Sequence, residues 1–163
     1  MRALYALACV LVLALAACAS APQSESYQST PRSGKPVGEG VADSAASNAA
    51  KMIGKPYRFG GSSPSGGFDC SGLVYFSFRQ AGVSLPHSTE QQRSSSRPVR
   101  LANLRRGDLL FFDQEGKKNS HVGIYLGAGK FVHAPSSGKK VRSDRLDNPY
   151  WKKHLSEARR LAV

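Results

Sequence analysis

Residues 121 to 134 read HVGIYLGAGKFVHA, two runs rich in β-branched and aromatic residues around Gly127-Ala128-Gly129. That pattern predicts a β-hairpin. With the three small residues as the turn and Leu126 opposite Lys130, Tyr125 faces Phe131, Ile124 faces Val132 and Gly123 faces His133. Side chains alternate between the faces of a strand, so His121, Gly123, Tyr125, Phe131 and His133 share one face. Val122, Ile124, Leu126, Val132 and Ala134 share the other. The second set is wholly apolar and selects this register, because a two-residue turn would slip the pairing by one and part the two histidines. His121 and His133 then become diagonal neighbours with backbones roughly 7 to 8 Å apart, and Gly123 leaves room between them on what reads as a polar face.

Working outward, DLLFF (108–112), KKVRS (139–143) and EARRLAV (157–163) are further short strand patterns between Gly, Asn, Pro and Lys clusters. Upstream the period changes. VADSAASNAAKMIGKPY (41–57) carries Val41, Ala45, Ala49, Met52 and Ile53 on or near one stripe and is stopped by Gly54 and Pro56. CSGLVYFSFRQAG (70–82) predicts a second helix, with Asp69 at its N-cap and Gly82 as its stop. Ser88 followed by Gln91 fits a capping box for a short third helix. Helices first and an antiparallel meander after them predict an α+β domain. The loop YRFGGSSPSGGFD (57–69) lacks the Lys-Ser/Thr ending of a phosphate-binding loop and the spacing of a dinucleotide fingerprint.

Cys70 opens the second helix. There the unpaired backbone N–H groups and the positive end of the helix dipole favour a thiolate, which would lower the thiol's pKa and suit a nucleophile. A buried cysteine acting as a small core residue fits the same position equally well. A nucleophile needs a base and the base needs an orienting group. The hairpin supplies both, with His121 to accept the Cys70 proton and His133 to hold His121 in the right tautomer. Zinc or copper on Cys70, His121 and His133 is the competing reading, and no close ligand pair nucleates such a site. No metal or cofactor is therefore expected, and His87 and His154 receive no catalytic role.

The chain has 163 residues, 40% of them hydrophobic, enough for one domain and a tail. Residues 1–18, MRALYALACVLVLALAAC, read as an export signal: one Arg, an apolar run and a small-residue ending. Leu15-Ala16-Ala17-Cys18 resembles the bacterial lipoprotein cleavage box, which would make Cys18 a lipidated N-terminus. Ala19, not Asp, follows it and favours the outer membrane, facing the periplasm. Cys9 would leave with the signal and Cys18 would carry lipid, so Cys70 would be the one free thiol and no internal disulfide could form. Residues 19–40 read as a flexible linker, with an extended reach of roughly 70 Å, and the folded domain is expected over 41–163. The formal charge is +12, with only Arg2 before Cys18. It favours anionic partners, the wall or a membrane surface, and no nucleic-acid recognition motif accompanies it.

GKPYRFGGSSPSGGFDCSGLV, SLPHST, LRRGDLLFF, HVGIYLGAGKFVHAP and DNPYW, in that order, resemble the NlpC-type cell-wall cysteine peptidases, papain-related enzymes of bacteria. The resemblance implies a papain-like fold, with the cysteine helix packed on a central antiparallel sheet. It implies Cys70 as nucleophile, His121 as base and His133 as third member. It further implies that Tyr57 shapes the oxyanion site and that Asp69 and Ser71 contact the peptide stem, while Asp69 as a plain helix cap and Ser71 as a plain first-turn residue are compatible with the same positions. The implied activity is a peptidoglycan endopeptidase acting on stem peptides. The expected cut is the D-Ala to diaminopimelate cross-link, and the γ-D-Glu to diaminopimelate bond is the alternative. A cysteine acyltransferase or amidase on another substrate, and a binding module without catalysis, are the rival readings. A regulatory protein partner is left open.

Overall fold

The computed structural model describes residues 36–136 and 138–162. The expected export signal, the expected lipidation site Cys18 and the expected linker up to residue 35 lie outside the described residues.

The first helix, α1 (Glu39–Ala50), buries Ala45, Ala46 and Ala49. Small side chains on that stripe let it lie close against α2 (Cys70–Gln80). The helix starts two residues before the expected boundary and stops at Ala50, so Ile53 is exposed instead of joining the stripe. Pro36 pairs with Ala162, and the Val37 N–H donates to the Leu161 carbonyl at 3.0 Å. Residues 36–40, expected in the linker, thus belong to the fold. Between the helices, β1 (Ser62–Ser63) and β2 (Gly67–Phe68) form a small antiparallel ladder inside the glycine-rich loop. In α2, Asp69 caps the start and Gly82 ends the helix at φ +86°. The Val83 N–H reaches the Phe78 carbonyl at 2.9 Å, the closing bond of a Schellman turn.

Next come α3 (Thr89–Ser94), capped by Ser88 onto the Gln91 N–H, and an edge strand, β3 (Ser96–Val99). Four consecutive strands form the meander: β4 (Leu109–Gln114), β5 (Lys117–Gly127), β6 (Lys130–His133) and β7 (Arg142–Arg145). A short helix, α4 (Pro149–His154), then leads into β8 (Leu155–Leu161). The last strand returns to pair with β4, giving the antiparallel order β3-β8-β4-β5-β6-β7. Neither β3 nor α4 stands out in the sequence, because Ser-Arg-Pro-Val and a six-residue helix carry too little periodicity.

Alternation along β4 divides the core. Leu109 and Phe111 point to the α1/α2 side with Val122, Ile124 and Val132, while Leu110 and Phe112 join Phe131, Trp151 and Ala158 on the other. The sheet is therefore sandwiched between two helical layers, α1 and α2 on one side and α4 on the other. The face carrying the histidines is not polar: Trp151 and Phe112 roof it, and both histidines are buried. None of the described helices is long and apolar enough to cross a membrane.

The predicted hairpin register holds where it matters, with Tyr125 opposite Phe131 and Ile124 opposite Val132. Its turn is built differently. Gly127 pairs with Lys130 across a two-residue turn whose Ala128 and Gly129 both have positive φ, 50° and 71°, as a type I′ turn requires. A bulge at Leu126 absorbs the one-residue slip and restores the pairing.

Candidate active site

Cys70 sits in the first turn of α2, half-buried, with its Sγ 3.9 Å from Thr89 Oγ1. Asp69 organises that turn. Its Oδ1 accepts from the Gly72 N–H at 2.6 Å, lies 3.1 Å from His87 Nε2 and takes the Ser71 hydroxyl at 3.3 Å, and its Oδ2 accepts from the Gly60 N–H at 2.8 Å. One carboxylate thus caps the helix and ties the glycine-rich loop to it. Gly72 is required there, because a Cβ would run into the Gly61 carbonyl oxygen and into His87 Nε2. Ser71 is buried with its hydroxyl committed to Asp69. Tyr57 is half-buried close by, and burial, then the charges of Cys70 and Asp69, push its phenol pKa up.

From the sheet, β5 and β6 bring His121 Nε2 to 2.8 Å from His133 Nδ1. The register explains the contact. Gly123 gives His133 its space: a Cβ at that position would lie 2.7 Å from Phe131 Cδ2 and 3.3 Å from His133 Cβ. The cysteine turn reaches β5 beside the histidine position of that strand, where the backbone N–H of Val122, the residue after His121, hydrogen-bonds to Cys70. His121 and His133 bond each other directly, so two of the nitrogens a shared metal would need are occupied. Among the described residues no group of three His, Cys, Asp or Glu is placed to hold an ion.

Burial decides the electrostatics. It pushes the Cys70 thiol up, with Asp69 adding to the rise, against hydrogen bonds from Val122, Thr89 and Ser71 that pull it down. The lowered thiol pKa expected from the helix N-terminus is thus overturned, because the thiolate loses more hydration than the helix end returns. His121 is pushed down to about 3 by burial and by His133. His133 is pushed down to about 4 by burial, with Asp144 pulling back. At neutral pH the site therefore holds a neutral thiol and two neutral imidazoles, and no ion pair is formed in advance.

Four residues of the site escaped the sequence reading. Asp144 on β7 lies with Oδ2 2.9 Å from His133 Nε2. Trp151 on α4 donates its indole N–H to the same oxygen at 2.9 Å and packs edge-on against His133, ring centroids 4.7 Å apart. Gln92 is fully buried and donates to the carbonyls of Ser71, at 2.9 Å, and Pro86, at 2.8 Å, which fastens α3 to the cysteine turn. Thr89 then stands at the thiol. For Asp144 the usable signal is its place two residues from the partner of His133, since β6 pairs His133 with Arg142. The connection over residues 134–141 is too long for its turn to fix that register in advance.

The model of the NlpC/P60 family matches residues 54–160. This chain belongs to the NlpC/P60 family. It is 40% identical over 115 residues to Murein DD-endopeptidase MepH of Escherichia coli, covering 68% of this chain and 42% of that protein. It is 48% identical over 114 residues to Gamma-DL-glutamyl hydrolase of Bacillus subtilis, covering 69% of this chain and 27% of that one. The match therefore spans less than half of either relative. Among solved structures, an NLP/P60-family protein of Staphylococcus aureus, described as similar to a lipoprotein, superposes with a TM-score of 0.69 at 34% identity, over 82% of this chain and 45% of the other. The mixed fold, with helices packed on an antiparallel sheet, is that of NlpC/P60 proteins and is consistent with the papain-like architecture.

Proposed function

We propose that this NlpC/P60 protein is a cysteine-type peptidoglycan endopeptidase that hydrolyses stem-peptide bonds. The observation that carries the proposal is the pairing of His121 with His133 at 2.8 Å on the strand whose next residue, Val122, hydrogen-bonds to Cys70. In the reaction His121 takes the thiol proton as Cys70 Sγ bonds to the peptide carbonyl carbon. His121 then returns that proton to the leaving amine as the C–N bond breaks, which leaves a thioester. Water attacks the thioester with His121 as base, and the thiol and a new carboxylate are released. His133 holds the ring of His121. Tyr57 and the first-turn N–H groups of α2 serve the oxyanion, and Asp69 and Ser71 shape the stem-binding side. The raised thiol and lowered imidazoles mean that proton transfer accompanies attack.

The scissile bond is the D-Ala to diaminopimelate cross-link, a reading supported by the relative named as a murein DD-endopeptidase. The γ-D-Glu to diaminopimelate bond is the second reading, favoured by the relative named as a γ-DL-glutamyl hydrolase. In this proposal Cys18 carries lipid in the outer membrane and the positively charged domain works on the wall from the periplasmic side.

Digestion of purified diaminopimelate-type peptidoglycan by the full chain and by its Cys70→Ala variant, with products read by mass spectrometry, tests the assignment. Cross-linked dimers falling to monomers with the wild type alone is the expected result. Stems ending at D-Glu would move the cut to the second bond, and intact wall after wild-type treatment would sink the endopeptidase.

A further inference from the structure

Asp144 accepts several hydrogen bonds on a single oxygen. Oδ2 takes the Arg142 Nε–H at 2.9 Å and the Trp151 indole N–H at 2.9 Å, and it lies 2.9 Å from His133 Nε2. Arg142 Nη2 stands 2.8 Å from the same atom. Burial raises the carboxyl pKa, but the bonds from His133 and Arg142 outweigh it and hold the group below its ordinary value. An ionised carboxylate only accepts.

The proton positions follow in order. His133 Nε2 must be the donor to Asp144. The His133 ring is neutral at working pH, with the cations Arg142 and Lys139 opposing a second proton and burial opposing it more strongly. Its Nδ1 is therefore bare and accepts. The group 2.8 Å away, His121 Nε2, must then donate. Since His121 is also neutral, its other nitrogen, Nδ1, is left without a proton.

We propose that Asp144 is a positioning residue that fixes both histidine tautomers through His133, leaving His121 Nδ1 as the nitrogen that takes the Cys70 proton. The site is then a four-membered relay, Cys70, His121, His133 and Asp144, with Trp151 buttressing its far end. When His121 gains the thiol proton, the charge is shared along the two rings toward a fixed anion. The proposal rests on the assignment of Cys70 and His121 as nucleophile and base, but the tautomers are observable without any substrate.

Long-range proton–nitrogen correlation spectra of the full chain at neutral pH provide the test. Both His121 and His133 are expected to carry their proton on Nε2, and a proton on His121 Nδ1 overturns the proposal. In Asp144→Leu, whose folding is checked by its unfolding midpoint, the His133 tautomer becomes mixed and turnover falls about 100-fold, with KM changing far less. Wild-type tautomers together with wild-type turnover in that variant would also overturn it. Should Asp144→Leu fail to fold, Asp144→Asn keeps an acceptor for Trp151 and Arg142 but loses the charge, and about a tenfold fall in turnover is expected. Unchanged turnover there counts against the relay. A wild-type protein that cleaves no peptidoglycan would remove the endopeptidase reading and leave the spectra to decide the tautomers.

Discussion

The two histidines that do the chemistry in this reading also make the fold sensitive to acid. In an unfolded chain each titrates near 6.5, whereas in the folded protein His121 is held at about 3 and His133 at about 4. Below pH 6.5 the unfolded chain binds protons that the folded chain refuses. The stability these groups contribute is complete above 6.5 and is lost as the pH falls toward the folded values, at about 1.4 kcal/mol per pH unit for each histidine. Urea midpoints measured between pH 7.5 and 4.5 should fall steeply in the wild type and less steeply in His121→Asn. A flat profile, or equal slopes, would mean that the rings are not held neutral. The identities of His121 and His133 and their shared face could be read from period-two alternation alone. Their protonation could not, because it depends on burial under Trp151 and Phe112, residues that the chain brings there from elsewhere.

At the scale of elements, α1 and β8 close the domain. The Val37 N–H to Leu161 carbonyl bond and the Pro36 to Ala162 bridge extend the last strand, and Glu39 pairs with Arg105 just before β4. A chain shortened to begin at Val41 loses all three contacts and the first residues of α1. Its folding stability should drop by about 1 to 3 kcal/mol relative to a chain beginning at Lys35, and equal urea midpoints would show that the segment is only an extension of the linker. The sequence marks 36–40 as Pro- and Gly-rich and so as linker. What composition misses is that the C-terminal end of β8, beyond its pairing with β4, offers backbone groups for those residues to satisfy. The helix ends were better marked, since Asp69, Ser88 and Gly82 act within a turn of themselves. The type I′ turn at Ala128 escaped because a bulge at Leu126 preserves the facing pattern that the three-residue turn was chosen to satisfy.

At the scale of the whole molecule, the proposed lipid at Cys18 and the linker after it would leave a basic domain tethered to a membrane and free to reach the wall. Cell fractionation should then recover the wild-type chain with outer membranes and Cys18→Ala in the soluble fraction. Membrane recovery of both forms would mean that something other than that thiol anchors the protein. The amino-acid sequence by itself determined the α+β order, the cysteine at a capped helix start and the two histidines on one sheet face. Each of these is set by neighbours within a few residues or by strict alternation along a strand. Only the tertiary structure decided that Asp144 and Trp151 stand behind His133, that Gln92 fastens α3 to the cysteine turn and that the resting thiol is neutral. Those outcomes depend on which distant segments shed water together, and desolvation is a property of the packed chain, not of any stretch of it.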